Sequence, residues 1–227
     1  KDLASASNYS IRYDGAVAAD SLTSNSALAT GDINADGISD LVMGSIFAGN
    51  GGSNSGSAYV AFGRTAVTIT GTVYSDEGVT PLANKTVALS LNGDAAANSG
   101  VTNGSGVFTI EEERVLNNDL LNFYLDGHTE DAVTVTLYSD GGTLNGAPTI
   151  TGLDLYQDRL IVRHETSGPI TNTILDTADN SADADITAIY SVSAGALTLA
   201  SGKELFIWAG ETFTPGGNVT RVIPTSE

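Results

Sequence analysis

Cysteine is absent from the 227 residues. That excludes a disulfide framework and any thiolate metal site. It does not assign a compartment, because sheet completion and bound ions can stabilise an exported chain as well. Basic residues are scarce: nine Lys and Arg stand against 27 Asp and Glu, a net charge of −18. Such a surface repels polyanions, so nucleic acid and anionic membrane are not expected partners, and cations are favoured. No run of 18 apolar residues occurs, so no membrane insertion is expected. The opening "KDLASASNYS" lacks the apolar stretch of a signal peptide. The two histidines, His128 and His164, lie far apart in the chain. No G-x-S-x-G elbow, H-E-x-x-H helix or phosphate-cradling glycine loop is found. Acids are numerous enough for a glycosidase pair, but the aromatic and histidine side chains of a cleft are sparse. The chain is read as non-enzymatic.

Helix signals are few, and what remains reads as β-structure. Short alternating runs are separated by Gly, Asn and Asp turns. "YSIRY" sets Tyr9, Ile11 and Tyr13 on one face, and "DLVMGS" and "SAYVAFG" are apolar runs. Between these two, residues 46–57, "IFAGNGGSNSGS", read as a long hairpin loop. From Ala66 the alternation is regular. Val67, Ile69 and Val73 point inward, as do Val87, Leu89 and Leu91, then Phe108 and Ile110. Leu121, Phe123 and Leu125 follow, then Val133, Val135 and Leu137, then Leu153 and Leu155. Six or seven strands at this spacing suggest a sandwich. The last third is less regular, with Leu160 and Val162 on one face of a strand and three more short runs after it. The expected fold is all-β, with domains at 1–65, 66–160 and 161–227.

The stretch "GDINADGISD" concentrates acids that repel one another unless something sits between them. Side chains at positions 1, 3 and 5 of a loop converge, a glycine at 6 permits the sharp turn, and a carbonyl at 7 and an acid at 9 complete an oxygen cage. This is the ligand logic of Ca²⁺, a hard ion taking six to eight oxygens. The candidate ligands are Asp32, Asn34, Asp36, the carbonyl of Ile38, and Asp40. An EF-hand or dockerin loop would need an acid at position 12, where Met43 stands, and a helix afterwards, where "ISDLVMGS" reads as a strand. A second acidic stretch, "DTADNSADAD", carries Asp176, Asp179, Asn180, Asp183 and Asp185 and is either another Ca²⁺ site or a solvated loop.

"ALATGDINADGISDLVMGS…GSAYVAFGR" resembles an FG-GAP repeat, the blade unit of integrin α-subunit propellers, over about residues 9–64. The resemblance implies Ca²⁺ binding at Asp32, Asn34, Asp36, Ile38 and Asp40, in a loop joining two strands. "VTITGTVYSDEGVTPLANKTVALSLNG…GVTNGSGVFTIE" resembles the carboxypeptidase-regulatory-like or CnaB-like sandwiches of bacterial surface proteins, which serve as stalk modules. Some of these cross-link a lysine to an asparagine; this chain offers Lys1, Lys85 and Lys203. The remainder looks like a module of large secreted bacterial repeat proteins.

A propeller needs several blades, and this chain has one. Its sheet edges stay open unless covered. The expected function is therefore a calcium-stabilised structural subunit of an extracellular bacterial filament or surface layer. Copies would join head-to-tail by strand addition, with "NYSIRYDGA" or "NVTRVIP" as donor. An adhesin or carbohydrate-binding stalk, or the accessory region of a secreted enzyme, are the alternatives. Glycans are further candidate partners, and Asn8, Asn84, Asn103 and Asn218 head N-x-[ST] tripeptides. Trp208, Phe206 and Tyr190 are either an aromatic platform or core.

Overall fold

The computed structural model describes residues 22–23, 27–35, 39–48, 55–63, 65–115, 118–138, 149–163, 168–179 and 183–222. The chain divides into two compact units, Lys1–Gly63 and Arg64–Glu227. "YSIRY" and the candidate donor "NYSIRYDGA" lie outside the described residues.

In the first unit, strands β1 (Leu28–Gly31), β2 (Asp40–Ser45) and β3 (Ser57–Ala61) form an antiparallel meander in the order β1-β2-β3. The register sets Leu28 opposite Met43 and Met43 opposite Tyr59. Because Ser45 pairs with Ser57, residues 46–56 are the connection of a hairpin, as their small polar composition predicts. Its base is tied by Gly56 N–H donating to the Ala48 carbonyl at 2.9 Å. Leu28, Val60 and Phe62 are exposed.

The second unit begins with β4 (Thr65–Tyr74), β5 (Thr86–Leu91), β6 (Ala96–Val101), β7 (Val107–Val115), β8 (Leu120–Leu125) and β9 (Val133–Leu137). It continues with β10 (Thr149–Ile150), β11 (Leu155–Tyr156), β12 (Arg159–Val162), helices α1 (Asn172–Asp179) and α2 (Ala184–Thr187), and strands β13 (Tyr190–Ser193), β14 (Ala196–Leu199), β15 (Glu204–Ile207) and β16 (Val219–Arg221). One sheet is built on β4, with β7 antiparallel on one side and β10 and β11 parallel on the other. The facing sheet has the order β15-β12-β9-β8-β5-β6.

The two sheets enclose a core of Val67, Ile69 and Val73, Val87 and Leu89, Phe108 and Ile110, Leu121, Phe123 and Leu125, and Leu153 and Leu155. These are inward positions that the alternation marks; Val133, Val135 and Leu137, marked in the same way, instead face the opposite side of the sheet. Gly71 in the middle of β4 permits the close crossing of residue 153: a Cβ there would lie 1.8 Å from the Leu153 carbonyl oxygen.

The other face of the six-stranded sheet is covered too. Ala88, Leu120, Tyr124, Val133, Val135, Leu160 and Val162 pack under α1, α2 and the small sheet β13-β14-β16. Strand β8 is therefore buried along its whole length. The unit is a three-layer stack rather than a sandwich followed by a separate piece. The division expected near residue 160 falls inside β12, which is paired in parallel with β9 on one side and β15 on the other. Parallel strands covered on both faces read as continuous apolar runs, and their pairing is invisible to local patterning. The architecture remains all-β apart from the two short helices.

Candidate metal centre

The loop between β1 and β2 carries the acidic motif. Gly31 and Asp40 face each other as the last pair of the β1–β2 ladder, so the loop is residues 32–39. Asp32, Ile33, Asn34 and Ala35 are exposed, and Ala35 takes a left-handed backbone with φ of 62°. Asp36, Gly37 and Ile38 lie outside the described residues.

Asp40 is the best-defined member of the set. It is 1% exposed. Its Oδ2 accepts from the Ile33 N–H at 2.7 Å and its Oδ1 from the Gly63 N–H at 2.8 Å. These two backbone donors, Ile33 first, hold its carboxyl below the usual carboxylate range, while burial pulls weakly the other way. The side chain thus pins the start of the loop and the residue just past β3 to the first position of β2. Charge-assisted bonds of this kind favour the ionised acid. A carboxylate oxygen can accept more than one bond, so this clasp leaves Asp40 the capacity to ligate an ion. An all-oxygen donor set containing a carboxylate that is ionised at neutral pH fits Ca²⁺. Among the described residues no three acidic or histidine side chains gather closely enough to hold an ion.

A family model described as FG-GAP repeat matches residues 24–61. That segment is similar to an FG-GAP repeat. The match takes in β1, the acidic loop, β2, the connection and β3, and is narrower than the span of 9–64 expected from resemblance. No curated protein and no solved structure matches the chain. The similarity covers residues 24–61 within the first unit, and the second unit is described by its own geometry.

The second acidic stretch is not one loop. Asp176 and Asp179 belong to α1, and Asp183 caps α2, its Oδ1 accepting from the Asp185 N–H at 2.9 Å. Asp183 Oδ2 also accepts from the Tyr124 hydroxyl at 3.2 Å, and Asp185 Oδ2 from the Gly127 N–H at 2.7 Å. Asn180 lies outside the described residues. Asp179 differs from these clasps: burial, with a smaller push from Asp176, raises its pKa, against the pull of the Val192 N–H.

The three aromatic candidates do not share a surface. Tyr190 is buried under α1, where its hydroxyl donates to the Leu175 carbonyl at 3.2 Å. Phe206 and Trp208 join Tyr156 and Tyr74 in a partly exposed group, with Phe206 edge-on to Tyr156 at 5.2 Å and the Arg163 guanidinium 5.5 Å from the Trp208 ring. Rings engaged edge-to-face and by a cation already have their favoured partners.

Both described lysines form ion pairs. Lys85 Nζ lies 2.7 Å from Glu130, and Lys203 Nζ lies 2.6 Å from both Asp131 and Asp158. Burial opposes the charge on Lys203, but the bonds to Asp131 and Asp158 outweigh it and raise its pKa. A lysine held protonated is not a nucleophile. His128 Nε2 accepts the Thr86 N–H at 2.8 Å, a structural use; His164 lies outside the described residues. The Asp131–Lys203–Asp158 clamp joins positions far apart in the chain and carries no local sequence signal.

Proposed function

We propose that the chain is a structural subunit of an extracellular bacterial filament or surface layer, stabilised by Ca²⁺ in the loop at residues 32–40 and joined head-to-tail by strand addition. The observation that carries this reading is the single FG-GAP-like segment, whose first strand has an open edge among the described residues. Among the described residues β1 pairs with β2 and with no other strand, and Leu28, Ala29 and Thr30 along it are exposed, Leu28 by 54%. A strand from a second copy would complete the blade there, and a contact between unlike surfaces that does not close on itself makes a filament. Of the two candidate donors, "NVTRVIP" contains β16, which already pairs in parallel with β14 of its own chain. The reading therefore assigns donation to "NYSIRYDGA". FG-GAP repeats occur in extracellular proteins, and no described helix is long and apolar enough to cross a membrane.

The test is sedimentation and negative-stain imaging of the purified chain in millimolar Ca²⁺, then after excess EGTA. Polymers that shorten or dissolve on chelation are expected. A monodisperse monomer under both conditions would exclude the filament and favour an adhesin-stalk role for the same repeat.

A further inference from the structure

Helix α1 ends in an electrostatically unfavourable way. Its last turn carries Asp176 and Asp179, and no basic residue. Two carboxylates beside the negative end of a helix dipole repel it. Among the described residues neither aspartate has a cationic partner.

A second, independent feature lies beneath this turn. Asn122 in the middle of β8 is fully buried, at 0% exposure. Its Nδ2 donates to the Ala178 carbonyl at 3.2 Å, which fixes the amide against the last turn of α1. Its Oδ1 is buried with no hydrogen-bond partner, and so is Asp179 Oδ1. An orphaned buried acceptor is rare and costs the full desolvation of that atom. Here two occur at one helix end: an amide oxygen, which only accepts, and a carboxylate oxygen, which accepts while it is ionised. Another acceptor cannot satisfy them; a positive centre can.

We propose that α1 and β8 form a second cation site, in which Asp179 Oδ1 and Asn122 Oδ1 bind a hard cation, Ca²⁺, at the C-terminal end of α1. Carboxylate and amide oxygens are the donors such an ion selects. The ion neutralises the charge at the helix end and satisfies both orphaned atoms in one step. Nothing in this inference depends on polymerisation or on the blade loop.

The test uses the full chain carrying D32N and D36N, which disables the blade loop. Calorimetric titration with Ca²⁺ alone is expected to show one bound ion, and adding D179N is expected to reduce this to none, with affinity falling at least tenfold. D179N keeps the side-chain shape and can still accept from the Val192 N–H, so folding is checked by circular dichroism. Should D179N not fold, Tb³⁺ titration of the loop-disabled chain decides instead: emission sensitised by the tyrosines near this turn, Tyr124 and Tyr190, and displaced by Ca²⁺ supports the site. No ion bound by the folded, loop-disabled chain overturns the proposal, whatever becomes of the blade loop. Ca²⁺ binding unchanged by D179N overturns it equally.

Discussion

Among the described residues of the FG-GAP repeat, the buried side chains are Asp40, Met43, Ser45 and Ala48, half of them polar. In residues 64–227 the buried apolar side chains that are described form two large clusters, one on each face of the six-stranded sheet, with a minority of buried polar groups among them. A three-stranded sheet of short strands has too little apolar surface to hold itself by burial. It needs directed bonds, and Asp40 supplies two of them. The larger unit holds its shape mainly by packing. The contrast explains why a neighbouring strand is sought in the first unit and not in the second. It also states where each unit is expected to break.

The largest effect is expected in the packed unit. Phe123 is fully buried between the two facing sheets. Phe123→Ala should cost about 3–5 kcal/mol, the usual range for an aromatic truncated in a core. Denaturant unfolding followed by near-ultraviolet circular dichroism measures it, and amide exchange in the FG-GAP repeat should stay unchanged. Loss of protection in both units together would mean that they do not unfold separately.

A smaller loss, about 1–3 kcal/mol, is expected for Asn172→Ala. Asn172 opens α1 and its Nδ2 donates to the Gly195 carbonyl at 2.8 Å and the Asn218 carbonyl at 3.0 Å. It thereby gathers the β13–β14 turn and the approach to β16 around one side chain. The change should reduce exchange protection in β13, β14 and β16 while the facing-sheet core around Phe123 keeps its own. Uniform loss across the unit would show the third layer to be inseparable from the other two.

These positions also show what the sequence could carry. The inward faces of β4, β5, β7 and β8 were legible because each alternates with period two against one core. In "LLNFYL" the same alternation names only Leu121, Phe123 and Leu125. Leu120 and Tyr124 face a second core that only the complete fold reveals. Helix α1 escaped notice because "NTILDTAD" is short, rich in Thr and Asp, and lacks a basic last turn. Its helix depends on Leu175 and Ala178 packing onto the sheet, which is tertiary stabilisation overriding weak propensity. At the candidate site, the D-x-N-x-D-G-x-x-D spacing marked the candidate donors. It could not show that Asp40 also binds Gly63, 23 residues further on.

Acid should act on the blade through Asp40. Its folded pKa lies below the ordinary carboxylate value of 3.8 because the Ile33 and Gly63 N–H groups favour the ionised form. A group depressed in this way stabilises the fold fully above its unfolded pKa, and the stabilisation is lost as pH falls through the folded value. Amides Ile33 and Gly63 should therefore keep their exchange protection at neutral pH and lose it as the pH is taken below 3.8. Asp40→Asn should show the same loss already at pH 7, with the packed unit unaffected. Protection that is independent of pH in the wild-type chain would mean that the clasp is not what holds the blade.

The smallest effect is expected at Arg159, on the surface of the packed unit. Its guanidinium lies 3.3 Å from Glu77 and 3.2 Å from Glu204, and both glutamates are about half exposed. Exposed pairs contribute about 0.2–1 kcal/mol, because water already solvates the separated charges and two long side chains lose freedom on pairing. Arg159→Met keeps most of the aliphatic stem and removes only the charge. It should lower stability by no more than about 1 kcal/mol. The difference from wild type should vanish near 1 M salt, where screening reaches about 3 Å. A larger loss, or one that salt does not remove, would mean that the packed unit relies on directed polar contacts as the blade does, and the contrast between the two would fail at its simplest point.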